Sequence, residues 1–222
     1  MVNKKIRVVV VDNQAVVRIG VTAVLNAQPD MCVVAEATNG RDAIHVFREY
    51  QPDIMLIELR LPEMSGLAAI HAIRREHSKS RFVVLTNCVG DEHIQRALNA
   101  GAMAYLIKAV STAELLRAVR TVHTGVRWLS GPVAEALANR PPNCELTTRE
   151  LQIVSLIVGG MSNRQIAEAL GVTEGTIKWH VNVVLERLCV ADRTQAAISA
   201  VRRGIVDLAD STGSIEPEHQ AA

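Results

Sequence analysis

Five short runs, Val8–Val11, Cys32–Ala35, Ile54–Ile57, Phe82–Leu85 and Ala104–Ile107, are apolar throughout, with no polar residue alternating. A strand with apolar side chains on both faces needs cover on both faces, as in a parallel sheet flanked by helices. Amphipathic stretches near 15–28, 40–50, 66–77, 92–100 and 112–124 separate the runs and supply that cover. In the last of them Ser111 and Glu114 form a capping box, and Leu115, Leu116, Val119 and Val122 then recur on one face. Five β–α repeats in this order predict an α/β domain, a five-stranded parallel sheet of flavodoxin-like type, with its site at the C-terminal ends of the strands.

Past Gly125 the pattern changes. A short helix is expected at Val133–Asn139, and the prolines of Arg140-Pro141-Pro142-Asn143 bar its continuation and mark a linker. From Thr147 every segment reads as helical, and the polar tail Asp210–Ala222 is expected to be disordered. The boundaries expected are 1–125 for the α/β domain, 126–145 for the short helix and linker, 146–209 for an all-α four-helix domain and 210–222 for the tail. A chain of 222 residues, 49% hydrophobic and 21% charged, has the composition of a folded two-domain protein and not of a disordered one. With 24 basic and 23 acidic residues, net charge decides nothing about nucleic acid. No apolar run approaches the roughly 18 residues of a membrane span, and Asp12 ends the apolar start too early for a signal peptide. Cys32, Cys88, Cys144 and Cys189 are scattered, as buried small residues of a reduced cytoplasm would be.

Caps delimit the four C-terminal helices: Thr147 with Glu150, Ser162 with Gln165, Thr173 before Glu174–Leu188, and Asp192 with Gln195. Gly171 lies between the short second helix and the longer third, where a tight turn needs positive φ. This is the helix-turn-helix pattern. In the third helix Ile177, Val181, Val184 and Leu188 form one buried stripe, and the opposite face presents Gly175, Lys178, Trp179, Asn182 and Glu186. Lys178 and Asn182 suit phosphate or base-edge contacts, and Trp179 suits a thymine methyl; the alternative for Trp179 is packing against the other domain or plain exposure. His180, at the flank of the stripe, reads as a packed, hydrogen-bonded histidine.

The run LTTRELQIVSLIVGGMSNRQIAEALGVTEGTIKWHV, followed by LERLCVADRTQAA, resembles the LuxR-type DNA-binding domain of NarL/FixJ-family response regulators over Leu146 to about Val206. The resemblance implies double-stranded DNA as partner, with Lys178, Trp179 and Asn182 at base-reading positions. It places Thr176, Ser162, Asn163 and Arg164 at backbone-contacting positions. The fourth helix, with Ala196, Ser199 and Ala200, resembles the family's dimerisation helix, so a homodimer is expected; plain core packing accounts equally well for some of these small residues. Family members commonly carry a small aliphatic residue where Trp179 stands.

The first domain resembles a receiver over Ile6–Gly125. VVVVDNQAVVR matches the end of its first strand, PDIMLIELRLPEMSG its third strand and following loop, VVLT its fourth, and GAMAYLIK its fifth. In an ordinary receiver two adjacent acids and an acceptor aspartate hold Mg²⁺ and take up a phosphoryl group, which a threonine and a lysine then contact. Here Thr86 and Lys108 hold those last positions and Tyr105 the switch aromatic. The acids are Asp12, Asn13 and Glu58, so two of the three depart from the pattern. Glu58 brings its oxygens nearer Lys108 and Thr86 and crowds the in-line approach phosphoryl transfer needs. Asn13 removes a carboxylate from a hard-cation site, leaving Asp12 and Glu58 as a weak Mg²⁺ pair, so Mg²⁺ is expected to be weak or absent. Three readings stay open: Glu58 pairs with Lys108 and holds the switch in an active-like state, the pair is a structural ion pair with activity set elsewhere, or Glu58 itself accepts a phosphoryl group, which the crowded geometry opposes.

No catalytic residue is expected. His71, His77 and His93 have no metal-ligand spacing, Ser130 and Ser155 lack a nucleophile elbow, and Gly159-Gly160 follows a helix instead of a strand. The sequence therefore reads as a transcription regulator whose receiver works without phosphorylation. The alternative is a receiver that docks a sensor kinase or other regulatory protein and masks DNA binding until released; no membrane partner is expected.

Overall fold

The structure, a computed structural model, describes residues 4–140 and 144–206. The prolines of the expected linker and the expected tail therefore lie outside the described residues. The chain divides into two compact units, one formed by the chain up to Cys88 with Ile94–Leu137, the other by Val89–His93 with Ala138 onward.

The first unit carries β1 (Ile6–Val11), α1 (Ala15–Asn26), β2 (Met31–Ala37), α2 (Gly40–Tyr50), β3 (Ile54–Ile57) and α3 (Gly66–Glu76). After these come β4 (Phe82–Thr86), α4 (Asp91–Ala100), β5 (Ala102–Ile107), α5 (Thr112–His123), β6 (Trp128–Leu129) and α6 (Gly131–Ala138). All strand pairs are parallel, in the order β2-β1-β3-β4-β5-β6. Both faces of the sheet are covered, which is why the strands could be apolar throughout: Val9 and Val11 pack in one core cluster and Val8 and Val10 in another. The order reverses between β1 and β3, so a crevice opens at their C-terminal ends.

The sixth strand was not anticipated. Its two residues pair Trp128 with Ala104 and Leu129 with Tyr105, extending the sheet beyond the five expected strands. The short helix after it, α6, also does more than lead into a linker: Val133 is buried against the first cluster, with Ala136 and Leu137 beside it.

The second unit holds α7 (Thr148–Val158), α8 (Asn163–Leu170), α9 (Glu174–Leu188) and α10 (Arg193–Arg203). Full capping boxes open α7 and α8, with Thr147–Glu150 and Ser162–Gln165 bonded reciprocally. Gly171 ends α8 at φ +65°, a left-handed turn that costs glycine little. Two apolar clusters hold the four helices, Val184 and Leu188 of α9 in one and Ile177 and Val181 in the other. Among the described residues no helix is long and apolar enough to cross a membrane.

Candidate functional site

Four strand ends build the first site. Asp12 follows β1, Glu58 follows β3, Thr86 ends β4 and Lys108 follows β5. Backbone hydrogen bonds fix their heights: Glu58 N donates to Val11 O at 2.9 Å and Lys108 N to Thr86 O at 2.9 Å. Gly66 holds the loop after Glu58 closed, since a Cβ there would lie 2.0 Å from the Glu58 carbonyl oxygen.

The Glu58 carboxylate, only 4% exposed, is fully engaged. Its Oε1 accepts from the Thr86 hydroxyl at 2.5 Å, from Leu59 N at 2.6 Å and from Arg60 N at 3.0 Å. Its Oε2 lies 2.8 Å from Lys108 Nζ, and Asp12 Oδ2 lies 2.7 Å from the same nitrogen. Burial of Lys108 pulls its ammonium toward the neutral form, but the hydrogen bonds to Asp12 and Glu58 outweigh this and hold its pKa above the usual lysine value. Tyr105 is fully buried, with its hydroxyl donating to Cys88 O at 2.8 Å. Of the residues named from the sequence, Asp12, Glu58, Thr86 and Lys108 meet in space; Tyr105 is bonded to the Cys88 carbonyl instead, and Asn13 is exposed and makes none of the bonds that hold the cluster.

Gln14 was missed. Its amide accepts a long contact from Lys108 Nζ at 3.4 Å while its backbone N donates to Asp12 Oδ1 at 2.8 Å. The Leu59 and Arg60 amides carry no side-chain signal and were not legible at all.

The receiver fold implies a divalent cation, and the donors do not fit one. The two carboxylates that would ligate it converge on the Lys108 ammonium, and the third position is an amide, Asn13. Among the described residues no group of three His, Cys, Asp or Glu side chains is placed to hold a metal ion.

The second site is the open face of α9. Ile177, Val181, Val184 and Leu188 are buried as the spacing required, which leaves Thr176, Lys178, Trp179 and Asn182 exposed. Trp179 is 61% exposed, an unusual position for an indole. Its ring meets His180 edge-on with centroids 4.8 Å apart. His180 is packed, but its buried Nδ1 makes no hydrogen bond within the protein, contrary to the expectation that it would. The Thr176 hydroxyl lies 2.9 Å from that of the cap Thr173. At the start of α8, Ser162 and Arg164 are exposed, and Arg193 of α10 braces the segment by donating to Asn163 Oδ1 at 3.2 Å and to Met161 O. Arg193 was not singled out in the sequence, nor was Arg187, which donates to the buried Glu150 at 2.8 Å and so ties α9 to α7.

One expectation is corrected. Ala196 and Ala200 are fully buried in their own domain's core, so neither can meet a second copy; small size served close packing inside the domain. Ser199 is half-buried, and the open face of α10 carries Thr194, Gln195, Ile198 and Arg202.

A doubly wound domain with Thr86 and Lys108 at strand ends, together with a helix-turn-helix domain, defines a DNA-binding response regulator. The chain matches the response regulator receiver domain over residues 8–120 and the luxR family of bacterial regulatory proteins over residues 145–200. It belongs to the response regulators that combine these two domains, which are two-component transcription regulators and not enzymes. It is 37% identical to the transcriptional regulatory protein LiaR of Bacillus subtilis, over 91% of this chain and 100% of LiaR. Among solved structures, the response regulator ChrA of a heme-sensing two-component system is 31% identical, covers 91% of this chain and 99% of its own, and has a TM-score of 0.55. A structure of two RcsB dimers bound to two parallel DNAs shares the fold, with 18% identity, a TM-score of 0.70, and coverage of 90% of this chain and 99% of that one.

Proposed function

We propose that this regulator binds DNA without phosphorylation of its receiver, with Glu58 standing where a phosphoryl group would otherwise be held. One observation carries the reading: the donors that would receive a phosphoryl group, the Thr86 hydroxyl, the Lys108 ammonium and the loop amides, are already bonded to the Glu58 carboxylate. A carboxylate has one unit of charge against nearly two for a phosphoryl group, but here it is buried, where each contact is stronger. The inward, bonded Tyr105 supports the active-like alternative over the remnant.

On the DNA side Lys178, Trp179 and Asn182 read base edges, and Thr176, Ser162, Asn163 and Arg164 contact the backbone. The working form is a cytoplasmic homodimer on paired half-sites; RcsB, which shares the fold, is likewise seen as dimers bound to DNA. Its α10 contact uses the face with Ser199 and Ile198, because Ala196 and Ala200 are buried.

Two measurements test this reading. Acetyl phosphate and Mg²⁺ should leave no added phosphoryl group by mass spectrometry, and a stable adduct on Glu58 would overturn it. Selection from a random DNA pool with untreated full-length protein should enrich an inverted repeat. Enrichment only by the isolated C-terminal domain would show the receiver to be inhibitory.

A further inference from the structure

Glu174 is the first residue of α9, and its Oε1 lies 2.9 Å from Lys178 Nζ, one turn further on. Both side chains are open to solvent, 47% and 64% exposed. Glu174, Lys178 and Asn182 follow one another at intervals of four, so they share one stripe of the helix, on the face that carries Trp179. An acidic residue on that stripe needs a reason. If Lys178 served only to attract phosphates, a carboxylate on its ammonium would cancel the charge that does so. The gain to the helix itself, from a favourable first-turn acid and an i,i+4 pair, is small.

A G·C pair resolves the conflict. In the major groove it offers the guanine acceptors N7 and O6 next to the cytosine N4 donor, whereas adenine places its donor between two acceptors. An ammonium and a carboxylate held side by side present the complementary order. Both can reach one base pair without parting, so the carboxylate is not left unpaired among phosphates. Exposed ion pairs of this kind are worth little, so small adjustments of the two side chains are cheap. The first turn of the recognition helix is also the part that meets base edges.

We propose that Glu174 and Lys178 together read one G·C base pair in each half-site, Lys178 donating to guanine and Glu174 accepting from cytosine N4. This rests on the reading of α9 as the DNA-reading helix.

The test uses full-length protein and the operator selected from a random pool. Each G·C pair of a half-site is replaced in turn by A·T, and binding is measured for wild type, Glu174→Gln, Glu174→Ala and Lys178→Ala. Wild type should lose about 10-fold or more at one position. Both Glu174 variants should bind the parent operator more weakly and lose the preference at that position while keeping it elsewhere. If the Glu174 variants instead bind every operator more tightly by one common factor, with a steeper salt dependence, Glu174 is only a charge and the proposal fails. A motif that depends on Lys178 but is indifferent to Glu174 also overturns the paired reading alone. A motif indifferent to both overturns the proposal, and if Trp179→Ala and Asn182→Ala leave it unchanged as well, the reading of α9 as the DNA-reading helix falls with it.

Discussion

Lys108→Met gives the sharpest test of the pocket. The ammonium is the common partner of Asp12 Oδ2 and Glu58 Oε2, at 2.7 and 2.8 Å, and all three side chains are under a tenth exposed. Methionine fills much of the same volume but leaves two carboxylates facing one another with no cation. Removing one partner of a buried pair costs about 3–5 kcal/mol, and the lower end applies because the lysine retains some solvent contact. For a domain of this size about 3 kcal/mol corresponds to a fall of roughly 10 °C in the unfolding midpoint. Calorimetry on the full chain should show the receiver transition moving by that amount while the transition of the DNA-binding domain stays in place. Adding Glu58→Gln to Lys108→Met should recover part of the loss by removing one of the unpaired charges. A shift under about 2 °C, or no recovery in the double variant, would refute the view that the ammonium holds the cluster together.

Because the Lys108 pKa is raised on folding, its contribution is fully present below the unfolded lysine value of about 10.4 and is lost as pH climbs through the higher folded value. Urea unfolding at pH 9 and pH 11 should therefore show a larger loss in wild type than in Lys108→Met. In the second unit, Glu150 is buried and accepts from Arg187 Nη1 and Thr147 N, both at 2.8 Å. Glu150→Ala should lower that domain's stability by about 1–2 kcal/mol, through the lost cap and the lost charged hydrogen bond, with Arg187 keeping its bond to the Glu145 carbonyl, as read from its unfolding transition.

How far the sequence could be read follows from which signals are local. The inner strands were legible because a strand buried on both faces is apolar along its buried length, and Ile54–Ile57 is recovered to the residue. The edge strand β2 is half-buried and runs on through the exposed Glu36, beyond the apolar run that marked it. The two-residue β6 is too short to carry any period. The reading face of α9 was legible because four buried positions fix the phase of a 15-residue helix. The same periodicity does not separate a small residue packed inside its domain from one waiting for a partner, which is why both readings of Ala196 and Ala200 stood open in the sequence. Contacts distant in sequence divide in the same way. Glu58 and Lys108 were paired through their places in a known motif, while Glu150–Arg187 and Arg193–Asn163 join residues 37 and 30 apart with no motif to announce them.

Asn13 makes sense only beside Glu58. As it stands, two carboxylates share one ammonium. A third carboxylate at position 13, on the exposed side of Asp12, would leave an excess of negative charge where a divalent cation can enter. Shortening Glu58 to aspartate would at the same time withdraw its oxygens from Thr86 and Lys108. Asn13→Asp combined with Glu58→Asp should therefore create a cation site, and Mg²⁺ at about 100 times its Kd should stabilise the receiver by about 2.7 kcal/mol. That is a rise of roughly 8–10 °C in the variant's receiver transition, against no response in wild type. Asn13→Asp alone should respond less, since Glu58 would still bind the ammonium that competes with the metal. Equal responses from wild type and the double variant would show that Lys108 does not occupy the cation's place, and the account of why this receiver differs would fall with it.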